Sequence, residues 1–149
     1  MPRVAVMLLL AGIAGIAGIA GSAFQAKADD LCGAIIGVWD TGDGAHVQVY
    51  EREGKMHGKF VLFYDEPPTG GLDIKNPDPK LRDRHLVGTD LIRNFEFVDR
   101  KWKNGRIYNP ENGKEYKADL ELRDGVLKVR GWIGIRLLGR TVEWTRIVR

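Results

Sequence analysis

The 149-residue chain carries 23 lysines and arginines against 20 acidic residues, a net charge of +3, and a single cysteine, Cys32. So thin a basic excess is not the footprint of a nucleic-acid-binding protein, which concentrates positive charge on one face. One thiol excludes an intramolecular disulfide, so any fold must rest on its core.

Residues 1–28 read as separate from the fold. Arg3 supplies a short basic start, Val4 to Ala20 is an apolar run, and Ala26-Lys27-Ala28 fits a small-x-small cleavage site. Together these are the parts of a secretory signal. The competing reading is a retained anchor, but the run is near the lower length limit for a spanning helix. Glycines at 12, 15, 18 and 21 also weaken it as a helix. Removing 1–28 takes away Arg3 and Lys27, leaving 21 basic against 20 acidic residues in the domain 29–149. The expectation is an exported protein, periplasmic or extracellular, with no membrane span after cleavage and no nucleic-acid partner. Cys32 follows Asp29-Asp30-Leu31, which is no lipidation signal. It is a free thiol, a link between two chains or a quiet residue near a terminus, and the oligomeric state stays open.

From Gly37 onward the chain reads as strand after strand. Gly37-Val38-Trp39 leads into a turn, Thr41 to Gly44, and Glu53-Gly54 separates VQVYE from GKFVLFY as a hairpin loop. In the latter run Phe60, Leu62 and Tyr64 share one face, and Lys59, Val61 and Phe63 the other. A strand apolar on both faces is either covered outside or leaves an exposed apolar stripe. Asp65 to His85 contains Pro67, Pro68, Pro77 and Pro79, which forbid regular pairing. Stretches of this length are usually lids, binding loops or disordered, although Pro79 to Asp83 suits one helical turn.

Strand signals resume at LVGTDLIRNFEFV, after which Asn104-Gly105 and the segment Asn109 to Gly113 bracket a short strand, RIY. YKADLELRD alternates cleanly, with Tyr116, Ala118, Leu120 and Leu122 on one face. Asp124-Gly125 is a strong hairpin signal. Beyond it Leu127, Val129 and Ile133 point inward with Gly131, where a strand glycine marks a bend or close approach. The last run sets Val142, Trp144 and Val148 against Thr141, Glu143 and Thr145. About eight short strands with hairpin connections predict an all-β, up-and-down eight-stranded barrel, whose interior is filled by side chains or holds one small ligand.

Four stretches, GVWDTGDG, KNPDPKLRDRHLVG, WKNGRIYNPENGKEY and LKVRGWIGIRLLGRTVEWTR, resemble the secreted bacterial domain-of-unknown-function family 2147. The resemblance spans nearly all of 29–149 and implies a lipocalin-like (calycin) barrel with no assigned reaction. It also implies that Gly37 and Trp39 form a Gly-x-Trp closure, with Arg146, or secondarily Arg140, stacked on the indole. Many members resemble one another in carrying two cysteines where this chain has Arg52 and His57, so its first hairpin is expected to depend on packing alone.

Catalytic chemistry finds little footing. The only serine, Ser22, lies in the leader. His46, His57 and His85 have no metal-ligand spacing, and Asp73, Asn76 and Asp78 lack an EF-hand pattern. No catalytic residue, metal or cofactor is assigned. Carboxylate pairs such as Asp65/Glu66 or Glu111/Glu115 are the remaining acid–base candidates. For binding, Arg82, Arg84 and His85 beside the proline-rich segment, with Trp102 and Trp132, are the candidate mouth and lid residues for a small, mostly apolar ligand, and Trp144 is a third indole able to line a cavity. The alternatives are that Arg82 and Arg84 pair with Asp78, Asp83 or Asp90, and that the tryptophans merely plug the barrel. A second reading of function is a filled barrel that meets a protein or cell-wall partner through an outer stripe around Val61 and Phe63.

Overall fold

The computed structural model describes residues 30–148. The expected leader therefore lies outside the described residues. Within them, β1 (Gly37–Asp40), β2 (Ala45–Arg52), β3 (Lys55–Phe63), β4 (Asp90–Val98), β5 (Lys101–Asn109), β6 (Lys114–Arg123), β7 (Val126–Trp132) and β8 (Arg140–Val148) follow one another round a closed barrel. Each pairs antiparallel with the next, and β8 returns to β1 through Trp39 and Arg146. Closure leaves the sheet no open edge.

Turn chemistry gives the barrel two unlike ends. Glu53-Gly54, Asp99-Arg100 and Asp124-Gly125 are two-residue turns with positive φ at both positions, the type I′ geometry that matches strand twist. All three lie at the end where β1 begins. The four connections at the other end are longer: 41–44, 64–89, 110–113 and 133–139. That end is the mouth.

Core side chains concentrate toward the tight-turn end. Trp39, Phe95, Met56, Ile92, Leu120 and Leu127 are fully buried there or along the axis. Trp39 donates its indole N–H to the carbonyl of Ile35, 2.9 Å away, in the 3-10 turn Gly33–Ile35 that precedes β1. Over the same indole lies the Arg146 guanidinium, 4.3 Å from the ring centroid. Arg146 also donates to the carbonyls of Ile36 (2.9 Å) and Ala34. One arginine thus joins the last strand, the first strand's tryptophan and the entering turn.

Two expectations about strands need correcting. Asn104-Gly105 is no turn; it lies inside β5, where the pairing with β6 shifts between Trp102 and Gly105. A Cβ on Gly105 would sit 2.3 Å from Phe95 Cδ2, so the missing side chain is what seats the Phe95 ring. Gly105→Ala is expected to destabilise the barrel by about 1–3 kcal/mol through overpacking, read from the denaturant midpoint. Likewise, the apolar residues of β3 divide between its faces differently from a simple alternation. Its register against β2 shifts between His46 and Val47, leaving Val61 as an unpaired bulge residue. The bulge restores Phe63 to the inner face beside Phe60, with ring centroids 4.9 Å apart. No outer stripe of Val61 and Phe63 exists; Leu62 and Tyr64 are the exposed residues of this stretch.

Candidate functional site

At the mouth the inward rows of β2 to β8 stop short of meeting, and a cavity of about 570 Å3 opens between them. Its wall is mainly apolar: Phe60, Phe63, Leu91, Ile107, Val129 and Trp144 lie deep, and Tyr116, Trp132, Ile133 and Val142 nearer the rim. Gly131 contributes to this space because it carries no side chain. A Cβ there would find Ile107 Cγ2 at 3.5 Å and Tyr116 Cβ at 3.6 Å, ordinary contacts. Polar groups stand at the rim, with Thr41 and Asp43 from the first loop, Glu66 from the second, Asn109 and Glu111 from the third, and Arg140 from the fourth.

The rim is held by local hydrogen bonds. Asp40 accepts from the Gly42 amide (2.8 Å) and from the Tyr64 hydroxyl (2.8 Å), while the Gly44 amide donates to that hydroxyl (3.3 Å). The Gly42 amide, then Tyr64, holds the Asp40 carboxyl below its ordinary value. The same bond raises the Tyr64 phenol. GVWDTGDG therefore closes one end with Trp39 and braces the rim of the other with Asp40.

The Tyr64–Thr89 segment does not lie over this opening as a lid. It is tied to Tyr108 of β5 through Asp73 and to Phe60 of β3 through Gly88 and Thr89, with Leu86 buried in the core, and of its residues Glu66 and Pro68 line the cavity. Asp73 is what fixes it. Fully buried, it accepts the Tyr108 hydroxyl from β5, the Asn76 amide at 2.8 Å and the Arg84 Nε at 2.8 Å, and pairs with Arg84 Nη2 at 2.7 Å. Burial, and then the Asp73 carboxylate, pushes the Tyr108 phenol up to about 12. The expected helical turn is present as the 3-10 turn Pro79–Leu81, capped by Asp78 accepting from the Lys80 amide.

Arg82 donates to the Asn76 carbonyl at 2.8 Å, so neither it nor Arg84 takes the carboxylate partners expected from proximity in sequence. His85 is exposed and makes a backbone bridge to Leu72. None of Arg82, Arg84 and His85 lines the barrel cavity. Arg84 instead borders an outer groove of about 820 Å3 with Arg52, Arg93, Asp90, Tyr108 and Glu115. Each of its three arginines meets a carboxylate: Arg52 with Asp90 at 3.3 Å, Arg84 with Asp73 at 2.7 Å, and Arg93 with Glu115 at 2.7 Å. Pairwise neutralisation leaves this groove little call on an anion.

Of the two expected mouth tryptophans, the structure brings only Trp132 to the cavity. Trp102 is buried at the opposite end, donating to the Cys32 carbonyl at 3.1 Å and packing on Phe97 at 5.0 Å between centroids. It stands second in β5, directly after a tight turn, so it cannot reach the mouth. The deep indole of the cavity is Trp144.

The first hairpin depends on more than packing. Arg52 and His57 lie 3.2 Å apart, His57 stacks on Tyr50 at 5.9 Å, and Tyr50 donates to Asp90 at 2.5 Å. Burial and the Arg52 charge lower the His57 imidazole, while burial and Asp90 raise the Tyr50 phenol to about 12. This polar cluster ties β2 and β3 to β4. His46 sits apart, against Tyr64 at 5.2 Å. Among the described residues no three His, Cys, Asp or Glu side chains converge as metal ligands. No described helix is long and apolar enough to cross a membrane.

The profile of the bacterial family DUF2147, described as an uncharacterized protein conserved in bacteria, matches residues 37–146. The chain belongs to this family. Its match begins at Gly37 and ends at Arg146, so it holds both Trp39 and Arg146 and all four mouth loops, with the entering turn Gly33–Ile35 just before it. The chain is also similar to protein HP1028 of the human pathogen Helicobacter pylori, described as a member of the lipocalin family. The two share 24% identity over 76% of this chain and 82% of that one, with a TM-score of 0.68. That likeness shows the fold, a lipocalin-like barrel. No curated protein matches the chain.

Proposed function

We propose that this DUF2147 protein is an exported, lipocalin-like binding protein whose barrel mouth takes a small, mostly apolar ligand. The supporting observation is the 570 Å3 cavity with an apolar floor and a polar rim. It falls within the size range of small-molecule sites, and few polar groups suffice to orient a ligand there. Burying an apolar ligand of this size removes it from water at roughly 25 cal/mol per Å2, which is the source of affinity. Export follows from the leader reading of residues 1–28 and places the protein where such ligands pass between membranes or into the medium. A filled barrel acting only through its outer surface has less support, because the mouth half of the interior is open and Phe63 turns inward instead of forming an outer stripe with Val61.

Gly131→Phe tests the site. The Cβ has room, and the rest of the ring can grow only into the space the ligand would use. Binding of a fluorescent apolar probe such as N-phenyl-1-naphthylamine is expected for the wild type and at least about tenfold weaker for the variant. The melting midpoint should change little, since Gly131 holds an ordinary strand conformation and a Cβ there meets only ordinary contacts. Equal probe binding by both proteins would place the ligand elsewhere.

A further inference from the structure

The three most exposed large apolar residues among those described all lie on one connection, that between β7 and β8: Ile133 at 59%, Ile135 at 67% and Leu138 at 79%. They are not left outside by a loose loop. Arg130 donates to the Arg136 carbonyl at 2.8 Å, and Arg136 pairs with Asp119 of β6 at 2.6 Å while lying over the Trp132 ring at 5.5 Å. A Cβ on Gly139 would approach the Gly131 carbonyl oxygen to 2.7 Å, so the two loop stems are packed backbone to backbone. The fold thus braces a short 3-10 turn, Arg136–Leu138, and presents apolar side chains to solvent around it.

The charge around them is mainly basic, with Asp119 on Arg136 and Glu143 on Lys128 as the acidic partners. Between Asp124 and Glu143 the chain has Lys128, Arg130, Arg136 and Arg140 and no acidic residue. Exposed aliphatic tips ringed by arginines fit the boundary between lipid headgroups and acyl chains, where apolar tips enter and basic groups meet phosphate. The same loop is part of the cavity wall, through Ile133, Leu138 and Arg140. A protein partner would need a surface complementary to these separated tips; a bilayer needs only their depth and charge.

We propose that the β7–β8 loop docks the barrel on a bilayer surface containing anionic headgroups, with the mouth facing the membrane. This rests on the cavity reading above. Through it, a ligand too apolar to travel in water passes between bilayer and barrel at the loop. Asp43, Glu66 and Glu111 occupy the rest of the rim, so the contact is one-sided, with the barrel leaning on its β7–β8 flank.

The test is flotation with vesicles of neutral phosphatidylcholine, with and without a quarter of phosphatidylglycerol. Wild type and Ile135→Asp are compared in the same form, as cells release them, so any contribution of residues 1–28 is common to both. Ile135 is exposed and lines no part of the cavity. Partition onto the anionic vesicles is expected to fall about tenfold in Ile135→Asp, and by about fivefold for each basic contact screened when salt is raised. Ile135→Trp should float at least as well as wild type, its new indole emission shifting blue on vesicles. Probe binding is measured alongside. Wild type that binds the probe but does not float, or an Ile135→Asp variant that floats equally well, overturns the docking inference and leaves the cavity reading standing. Flotation sensitive to Ile135 without any probe binding supports docking and overturns the cavity reading.

Discussion

Trp39→Ala is expected to lower the stability of the barrel by about 3–5 kcal/mol, the range for deleting a fully buried large aromatic. The indole is wholly buried, and three interactions leave with it. Its N–H bond to the Ile35 carbonyl disappears. The stack under Arg146 disappears as well, although the guanidinium keeps its bonds to the carbonyls of Ile36 and Ala34. The entering 3-10 turn then has no anchor on the first strand. Against a total stability of about 5–15 kcal/mol such a loss is large. In urea it should move the unfolding midpoint by about 2 M, given a slope of roughly 2 kcal/mol per M. Trp39→Phe keeps the ring but not the donor, and should cost distinctly less. Because the closure lies at the end away from the cavity, the folded fraction of Trp39→Ala should still bind the apolar probe. A variant as stable as wild type would show that the closure is not what holds this end.

The second large effect is expected at Asp73. Asp73→Ala removes the carboxylate from beneath Arg84, Asn76 and Tyr108 at once. Breaking a buried pair costs about 3–5 kcal/mol, and the partial exposure of Arg84 puts this site at about 3 kcal/mol. The damage should be local first. Amide exchange should rise across Tyr64–Thr89, which then loses its fastening to β5, before it rises in the strands. The linked pH effect has a definite sign. Tyr108 is raised, so its protonated form is the one the fold favours. That contribution is complete below the ordinary tyrosine value near 10 and is lost as pH climbs from there through about 12. In Asp73→Asn, one phenol should titrate closer to 10 in an ultraviolet difference titration. An unchanged titration would mean that the Asp73 carboxylate does not govern Tyr108.

How much of this was legible in the residues follows from the kind of signal each carried. Alternation and hairpin dipeptides were sufficient for β6, β7 and β8, where Ala118, Leu120, Leu127, Val129 and Trp144 all face inward. Gly-x-Trp, with the resemblance to relatives, pointed to the pairing of Trp39 and Arg146 across the length of the chain. What failed was any local pattern that a bulge or a long-range contact overrides. Phe63 looked outward because a count of two ignores the extra residue, Val61. Asn104-Gly105 looked like a turn because its glycine has the same composition whether it bends the chain or makes room for Phe95. The actual turn, Asp99-Arg100, contains no glycine at all.

Strand direction separates the two tryptophans expected at the mouth. In an up-and-down barrel successive strands alternate in direction, so odd strands start at the end where Trp39 sits. Trp102 begins the fifth strand and Trp132 ends the seventh, which already assigns them to opposite ends. The proline-rich segment was different. Its attachment to β5 depends on Asp73 meeting Tyr108, 35 residues away, and nothing in either residue's neighbourhood announces that partner.

The most direct test of the account is native mass spectrometry of the wild-type protein isolated gently from the envelope or medium of producing cells, beside Gly131→Phe. The wild type is expected to carry a small apolar species, released by organic solvent and absent from the variant. Wild type that is uniformly empty, and that also fails to take up an added apolar probe, would contradict the proposal that the barrel mouth is a binding site.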